Sequence, residues 1–128
     1  MEEKAVFLDS YAIHEIMNGN PNYSRFSKNI RAATSRLNLM EVYFILLERK
    51  GENLADEIFT KFREISVDFL DDDLKAAMKF KSLTRKNFPK SKISYIDAVG
   101  YVLAKRLKLI FLTGDSEFKG MDNVLFLK

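Results

Sequence analysis

The sequence has no cysteine and a single histidine, His14. The first absence excludes disulfides, thiolate nucleophiles and cysteine zinc sites, and the second excludes any centre that needs two imidazoles. Chemistry must therefore fall to carboxylates and hydroxyls. Long apolar runs are also missing. Residues 42–47 and 107–112, the latter broken by Lys108, fall far short of the roughly 20 residues of a membrane helix, so neither a transmembrane helix nor a membrane partner is expected. The opening Met1-Glu2-Glu3-Lys4 leads into Ala5-Val6-Phe7-Leu8 with no basic leader, signal-length apolar stretch or small-residue cleavage site, which points to the cytoplasm. There are two prolines, Pro21 and Pro89, and no repeat or Pro/Gly/Ser linker in the 128 residues, so one domain spanning 1–128 is expected.

Against these absences stand 47% apolar and 30% charged residues, enough for a packed core and too apolar for a disordered chain. The net charge is only +3, but it is unevenly spread. Residues 75–92 hold Lys75, Lys79, Lys81, Arg85, Lys86, Lys90 and Lys92 with no acid, which leaves the rest of the chain net acidic. Residues 4–9 read as a buried strand, 10–17 as a helix ended by Asn18-Gly19-Asn20-Pro21, and 22–30 as a short helical piece. Further along, 31–36 reads as a strand and 39–49 as a helix closed by Gly51. Asn53 is placed to cap a helix through 62, and 64–69 reads as another strand. Helices over 72–87 and 94–105, a strand over 109–113 and a last strand over 123–127 complete the pattern. Strands alternating with helices predict a three-layer α/β/α sandwich around a parallel sheet.

In such a sheet ligands bind beyond the C-terminal strand ends. Asp9 directly follows the first strand, and Asp115 follows the late strand after one glycine. Glu41 and Asp97 read as first-turn helix residues, and such helices start at that same edge. Asp97 falls within the apolar stripe Ile93, Ile96, Gly100, Leu103, Ala104 and Leu107, and Glu41 lies in the nearly all-apolar stretch from Leu39 to Leu47. Taken singly, each acid is explained by capping: Asn38-Leu-Met-Glu41 and Ser94-Tyr-Ile-Asp97 fit the capping box, and Asp9 and Asp115 suit helix or turn caps. Four acids at one edge without a basic partner instead repel one another unless a cation compensates them, and oxygen ligands of this kind select Mg²⁺ or Mn²⁺.

Val6-Phe7-Leu8-Asp9-Ser10, Leu-Asn-Leu-Met-Glu41-Val-Tyr, Ser-Tyr-Ile-Asp97-Ala-Val-Gly-Tyr-Val-Leu-Ala and Phe-Leu-Thr113-Gly-Asp115-Ser-Glu-Phe, in this order across essentially the whole chain, resemble the four acidic motifs of PIN-domain ribonucleases. The small form resembles the toxin half of VapBC toxin-antitoxin pairs. The resemblance implies Mg²⁺-dependent (or Mn²⁺-dependent) RNA cleavage, a homodimer and a small antitoxin partner that blocks the site. Asp9, Glu41, Asp97 and Asp115 would be the catalytic metal ligands, Ser10 and Thr113 supporting hydroxyls, and Glu117 an accessory acid. Tyr11 and His14 depart from the small or aliphatic residues common in the first helix.

Outside the acid set, His14 reads as a lone helical histidine with no catalytic role. Lys75, Lys79 and Lys86 form one side of a helix whose other side carries Leu74, Ala77, Met78 and Phe80, and they are the candidate RNA-contacting residues against the reading of a solvated face. Asp71-Asp72-Asp73 reads as helix capping, and the phenylalanines as core. The expected activity is an endoribonuclease in which one or two ions hold the scissile phosphate, leaving a 5′-phosphate and a 3′-hydroxyl. A phosphoryl receiver would need a lysine that Thr113-Gly114-Asp115 lacks, and a haloacid-type phosphatase would need an acid where Tyr11 stands. The alternative is a catalytically silent RNA- or protein-binding module of the same fold.

Overall fold

The computed structural model describes residues 5–27 and 31–128. Its centre is a parallel sheet of β1 (Val6–Leu8), β2 (Ala32–Ala33), β3 (Ile110–Thr113) and β4 (Val124–Phe126), in the order β2-β1-β3-β4. The period-two alternation of a strand divides its side chains between two cores. Val6 and Leu8, with Leu112, face α1 (Ser10–Met17), α2 (Arg36–Lys50) and α3 (Glu52–Arg63), where Ile13, Leu39, Val42 and Phe62 are buried. Phe7 and Phe111 face α4 (Asp71–Asn87) and α5 (Tyr95–Arg106), among Ala77, Val99, Leu103 and Phe118. Helices on both faces cover a sheet whose strands are apolar on both sides, the condition a parallel sheet requires. The three-layer α/β/α expectation is correct.

Several boundaries differ from expectation. The helix expected from residue 39 begins at Arg36, because Ser35 is the cap: its hydroxyl accepts from the Asn38 amide. Glu41 therefore lies in the second turn, and the Asn38 cap is corrected. Asn53 caps nothing, since Gly51, at φ +97, both ends α2 and precedes α3, which has no side-chain cap. The strand expected over 64–69 is reduced to an isolated bridge between Thr34 and Ser66, because Ser66 turns back onto the Arg63 carbonyl through both its amide and its hydroxyl. The piece expected over 22–30 is a 3-10 helix, Pro21–Ser27, and residues 28–30 lie outside the described residues, as does residue 4 of the first strand.

The other helical layer is held by a close approach and an ion pair. Gly100 presents α5 to the sheet so closely that a Cβ there would stand 3.0 Å from the Phe7 ring and 3.2 Å from the Phe111 ring. Asp73, 2% exposed, binds Arg106 through Nε at 2.7 Å and Nη2 at 2.9 Å, tying α4 to α5. It also accepts from the Leu70 amide at 2.7 Å, so the capping reading of the Asp71-Asp72-Asp73 run holds at Asp73.

Candidate active site

Asp9 is buried at the C-terminal end of β1, where it caps α1 and accepts the Ala12 amide at 2.7 Å. A second hydrogen bond reaches it from the Thr113 side chain, at the end of the neighbouring strand β3. The Thr113 hydroxyl also accepts the Asp115 amide at 3.0 Å, so one fully buried threonine links the two strand-end acids. Asp115 in turn caps a 3-10 turn, Ser116–Phe118, by accepting the Glu117 amide at 3.0 Å. Asp97 is the third residue of α5, and its amide bonds the Ser94 cap at 3.1 Å. The capping reading is therefore right for three of the four acids. It fixes where each carboxylate sits without neutralising it.

The electrostatics separate this cluster from ordinary caps. Burial pushes Asp9 up to about 7, and the negative charges of Asp97 and Asp115 add to the shift against the opposing hydrogen bonds of Thr113 and Ala12. Burial likewise raises Asp97 to about 6, reinforced by Asp115 and Glu41. Asp97 and Asp115 thus act on Asp9, and Asp115 and Glu41 on Asp97, and among the described residues none of the four is ion-paired with a base. Among those residues, no three carboxylate or imidazole groups stand close enough to grip one ion as their side chains are placed. In kind the donors still suit a hard dication, being oxygen ligands lacking a compensating charge, with Glu41, Asp97 and Asp115 only half-buried.

Beneath the acids lies a polar layer of which the sequence pointed only to Ser10. Thr34, Ser35, Asn38 and Ser10 are all buried; Ser35 donates to Asn38 Oδ1 at 2.7 Å, Asn38 Nδ2 reaches the Ser10 hydroxyl at 3.2 Å, and Thr34 donates to the Leu8 carbonyl at 2.8 Å. These bonds couple the start of α2 to the start of α1, on either side of Asp9. The available signal was the Ser35-x-x-Asn38 spacing, which marks the cap three residues earlier than expected. Gly114 was also missed as a constraint: a Cβ there would stand 2.2 Å from the Tyr11 ring and 2.7 Å from the Leu127 carbonyl, so only glycine joins Thr113 to Asp115.

The remaining candidates divide. Glu117 uses its carboxylate to accept the Lys92 amide, holding the loop before α5 against the Asp115 turn. His14 is half-buried on α1; burial and Arg49 lower its pKa, Glu41 opposes them, and its Nε2 has no hydrogen-bond partner among the described residues. Lys75, Lys79 and Lys86 are exposed on α4 as expected, but Leu74 and Met78 are exposed as well, so the helix buries a narrower face than expected, centred on Asp73, Ala77 and Thr84. On α2, Met40, Phe44 and Leu47 are also exposed, at 56%, 63% and 42%, so the nearly all-apolar stretch around Glu41 does not enclose it as expected.

The sequence matches the PIN domain family over residues 6–124. The chain belongs to that family. Solved structures similar to this PIN domain include VapC20 of Mycobacterium tuberculosis, a toxin that cleaves the sarcin-ricin loop, at 14% identity and a TM-score of 0.76, covering 96% of this chain and 98% of that one. VapBC2 of Rickettsia felis, bound to a DNA fragment from its promoter, aligns at 15% identity and a TM-score of 0.74 over 96% of this chain and 97% of that one. A toxin-antitoxin complex from Klebsiella pneumoniae aligns at 16% identity and a TM-score of 0.70 over 94% and 95%. Comparison with curated protein sequences finds no match. The fold of this PIN domain is thus the one VapC structures share, as the ordered acidic motifs led us to expect. No helix among the described residues is long and apolar enough to cross a membrane.

Proposed function

We propose that this PIN domain is a metal-dependent endoribonuclease and the toxin of a toxin-antitoxin pair. The observation that carries the reading is the raised state of Asp9 and Asp97, two carboxylates pushed up first by burial and then by acidic neighbours, Asp97 and Asp115 for the one and Asp115 and Glu41 for the other, with no base to balance them. Strained charge of this sort concentrates where a site is built to bind something cationic. Asp9, Glu41, Asp97 and Asp115 would hold Mg²⁺ or Mn²⁺. When bound, the ion supplies positive charge against the phosphate and lowers the pKa of a water molecule.

The chain's own contribution is positional. Thr113 keeps the Asp9 and Asp115 carboxyls in a fixed relation, the Ser94 cap sets Asp97, and the Ser35–Asn38–Ser10 bonds hold the helix carrying Glu41 against the one Asp9 caps. With no cysteine and no second histidine, hydrolysis proceeds by water attack in line with the leaving oxygen, giving a 5′-phosphate and a 3′-hydroxyl. The cytoplasm, a homodimer and a small antitoxin complete the reading. The exposed Met40, Phe44 and Leu47 support the antitoxin, because a partner lying on them also covers Glu41 on the same helix.

The test is Asp97→Asn, which keeps the backbone bond to Ser94. It is expected to abolish cleavage of single-stranded RNA in Mg²⁺ and Mn²⁺ with the fold intact by circular dichroism; wild-type activity in this variant would leave Asp97 a cap and nothing more. That no three of the acids among the described residues stand close enough to hold one ion favours a second reading, a catalytically silent RNA- or protein-binding module. Wild-type protein that cleaves no RNA in either metal would select it.

A further inference from the structure

The seven bases of residues 75–92 are not spread evenly over their surface. Lys81, Arg85 and Lys86, with the Ser82 hydroxyl, line a cleft of about 460 Å³ between the end of α4 and the start of α5, and the far wall is the ring of Tyr95. No carboxylate lines the cleft, and among the described residues none of the three cations is in an ion pair. Tyr95 is 68% exposed, although it opens a helix whose next turns are buried. Lys81 is held in place: its ammonium lies 5.2 Å from the Tyr95 ring centroid and donates to the Ile93 carbonyl. An exposed aromatic face bordered by fixed and free cations is the chemistry that stacks a base and takes its phosphate.

Its place in the fold connects it to the acids. Tyr95 and Asp97 share the first turn of α5, under the same Ser94 cap. The loop between the cleft and that cap is fastened to the Asp115 turn by the Lys92 amide on Glu117. Tyr95 and Asp97, two residues apart, project from different sides of that turn, so the cleft lies alongside the carboxylates and a strand of RNA reaches it around the start of α5.

We propose that this cleft is a nucleotide subsite for single-stranded RNA flanking the carboxylate site, in which Tyr95 stacks a base while Arg85 and Lys86 bind the adjoining backbone phosphates. The strand must be single because a base inside a duplex already has both faces stacked on its neighbours. The subsite rests on the nuclease reading, and it moves the RNA contacts from Lys75 and Lys79, which lie outside the cleft, to Arg85 and Lys86.

The experiment measures binding in EDTA, so that cleavage plays no part, with a fluorescent ten-nucleotide single-stranded RNA of mixed sequence. Tyr95→Ala is expected to weaken binding about tenfold or more, and Tyr95→Phe to restore it, since only the ring is used. Arg85→Gln with Lys86→Gln is expected to lower the log–log salt slope by about 1.4, two phosphate contacts at about 0.7 each. Irradiating an RNA that carries 5-iodouridine should cross-link the peptide containing Tyr95. Wild-type affinity in Tyr95→Ala, an unchanged slope in the double variant, or wild-type protein that binds no RNA each overturns the proposal, the last of these giving the cleft to a protein partner. Tyr95-dependent binding together with full cleavage by Asp97→Asn would sink the assignment of the catalytic acids while leaving the subsite in place.

Discussion

Asp9 and Asp97 are held in their uncomfortable state by geometry, and that state has a measurable cost. A carboxyl whose folded pKa lies above its unfolded value binds more protons in the native state, so stability falls as pH rises through the interval between the two values. For Asp97 the interval runs from 3.8 to about 6, and for Asp9 from 3.8 to about 7. Metal-free protein is therefore expected to lose stability from about pH 4 to pH 7, by at most about 1.4 kcal/mol per pH unit for each proton involved. Urea melts of Asp97→Asn in EDTA should show a flatter slope over its interval, and Mg²⁺ should raise the wild-type Tm more at pH 7.5 than at pH 5. A wild-type slope in the variant would mean that Asp97 titrates normally. Asp9 and Asp97 were legible in the sequence for the same reason they are strained: Asp97 interrupts an apolar stripe, and Asp9 stands where a buried strand stops. Thr113 was legible only as a hydroxyl, because its double hydrogen bond depends on two strands lying side by side.

Helices α4 and α5 show the opposite electrostatic sign. Asp73 is buried, and its pKa is lowered, chiefly by the hydrogen bonds from Arg106. Its contribution is present above its unfolded pKa and lost as pH falls through the lowered folded value. Acidification from neutral pH thus first relieves the carboxylate cluster and then breaks this clasp. Asp73→Ala is expected to cost about 2 kcal/mol in a urea melt, through the lost cap and the charge-assisted bonds. Arg106→Ala should cost at least as much, because it leaves the buried Asp73 carboxylate with no base to balance it, whereas Asp73→Ala leaves an arginine that is 39% exposed and solvated. A clearly smaller cost in Arg106→Ala would show that the cap to Leu70, and not the ion pair, carries the clasp. The long helices were readable from their periodicity. The failed strand over 64–69 was not, since Ile65 and Val67 carry the β-branched pattern while Ser66 closes a local turn that no propensity reveals.

The order β2-β1-β3-β4 puts the first strand in the middle of the sheet and brings Val6 beside Ile110. Alternation alone predicted a parallel sheet, but the strand order could not be read from it, because each crossover is compatible with more than one neighbour. The molecule also leaves Met40, Phe44 and Leu47 uncovered, a surface that the sequence, being apolar there, suggested was buried. Phe44→Lys, at an exposed site, is expected to leave the Tm nearly unchanged and to abolish co-purification with the product of the adjacent reading frame when the two are co-expressed; an intact complex would place the antitoxin elsewhere. The long reach between β1 and β3 also bears on synthesis. A chain still being translated carries Asp9 from the start, but it has neither the neighbouring strand nor the Thr113 hydroxyl until the ribosome has released residues 110–115 from its exit tunnel. On the nuclease reading proposed above, an incompletely synthesised chain has no assembled site, and any cleavage waits for the segment that carries Thr113 and Asp115.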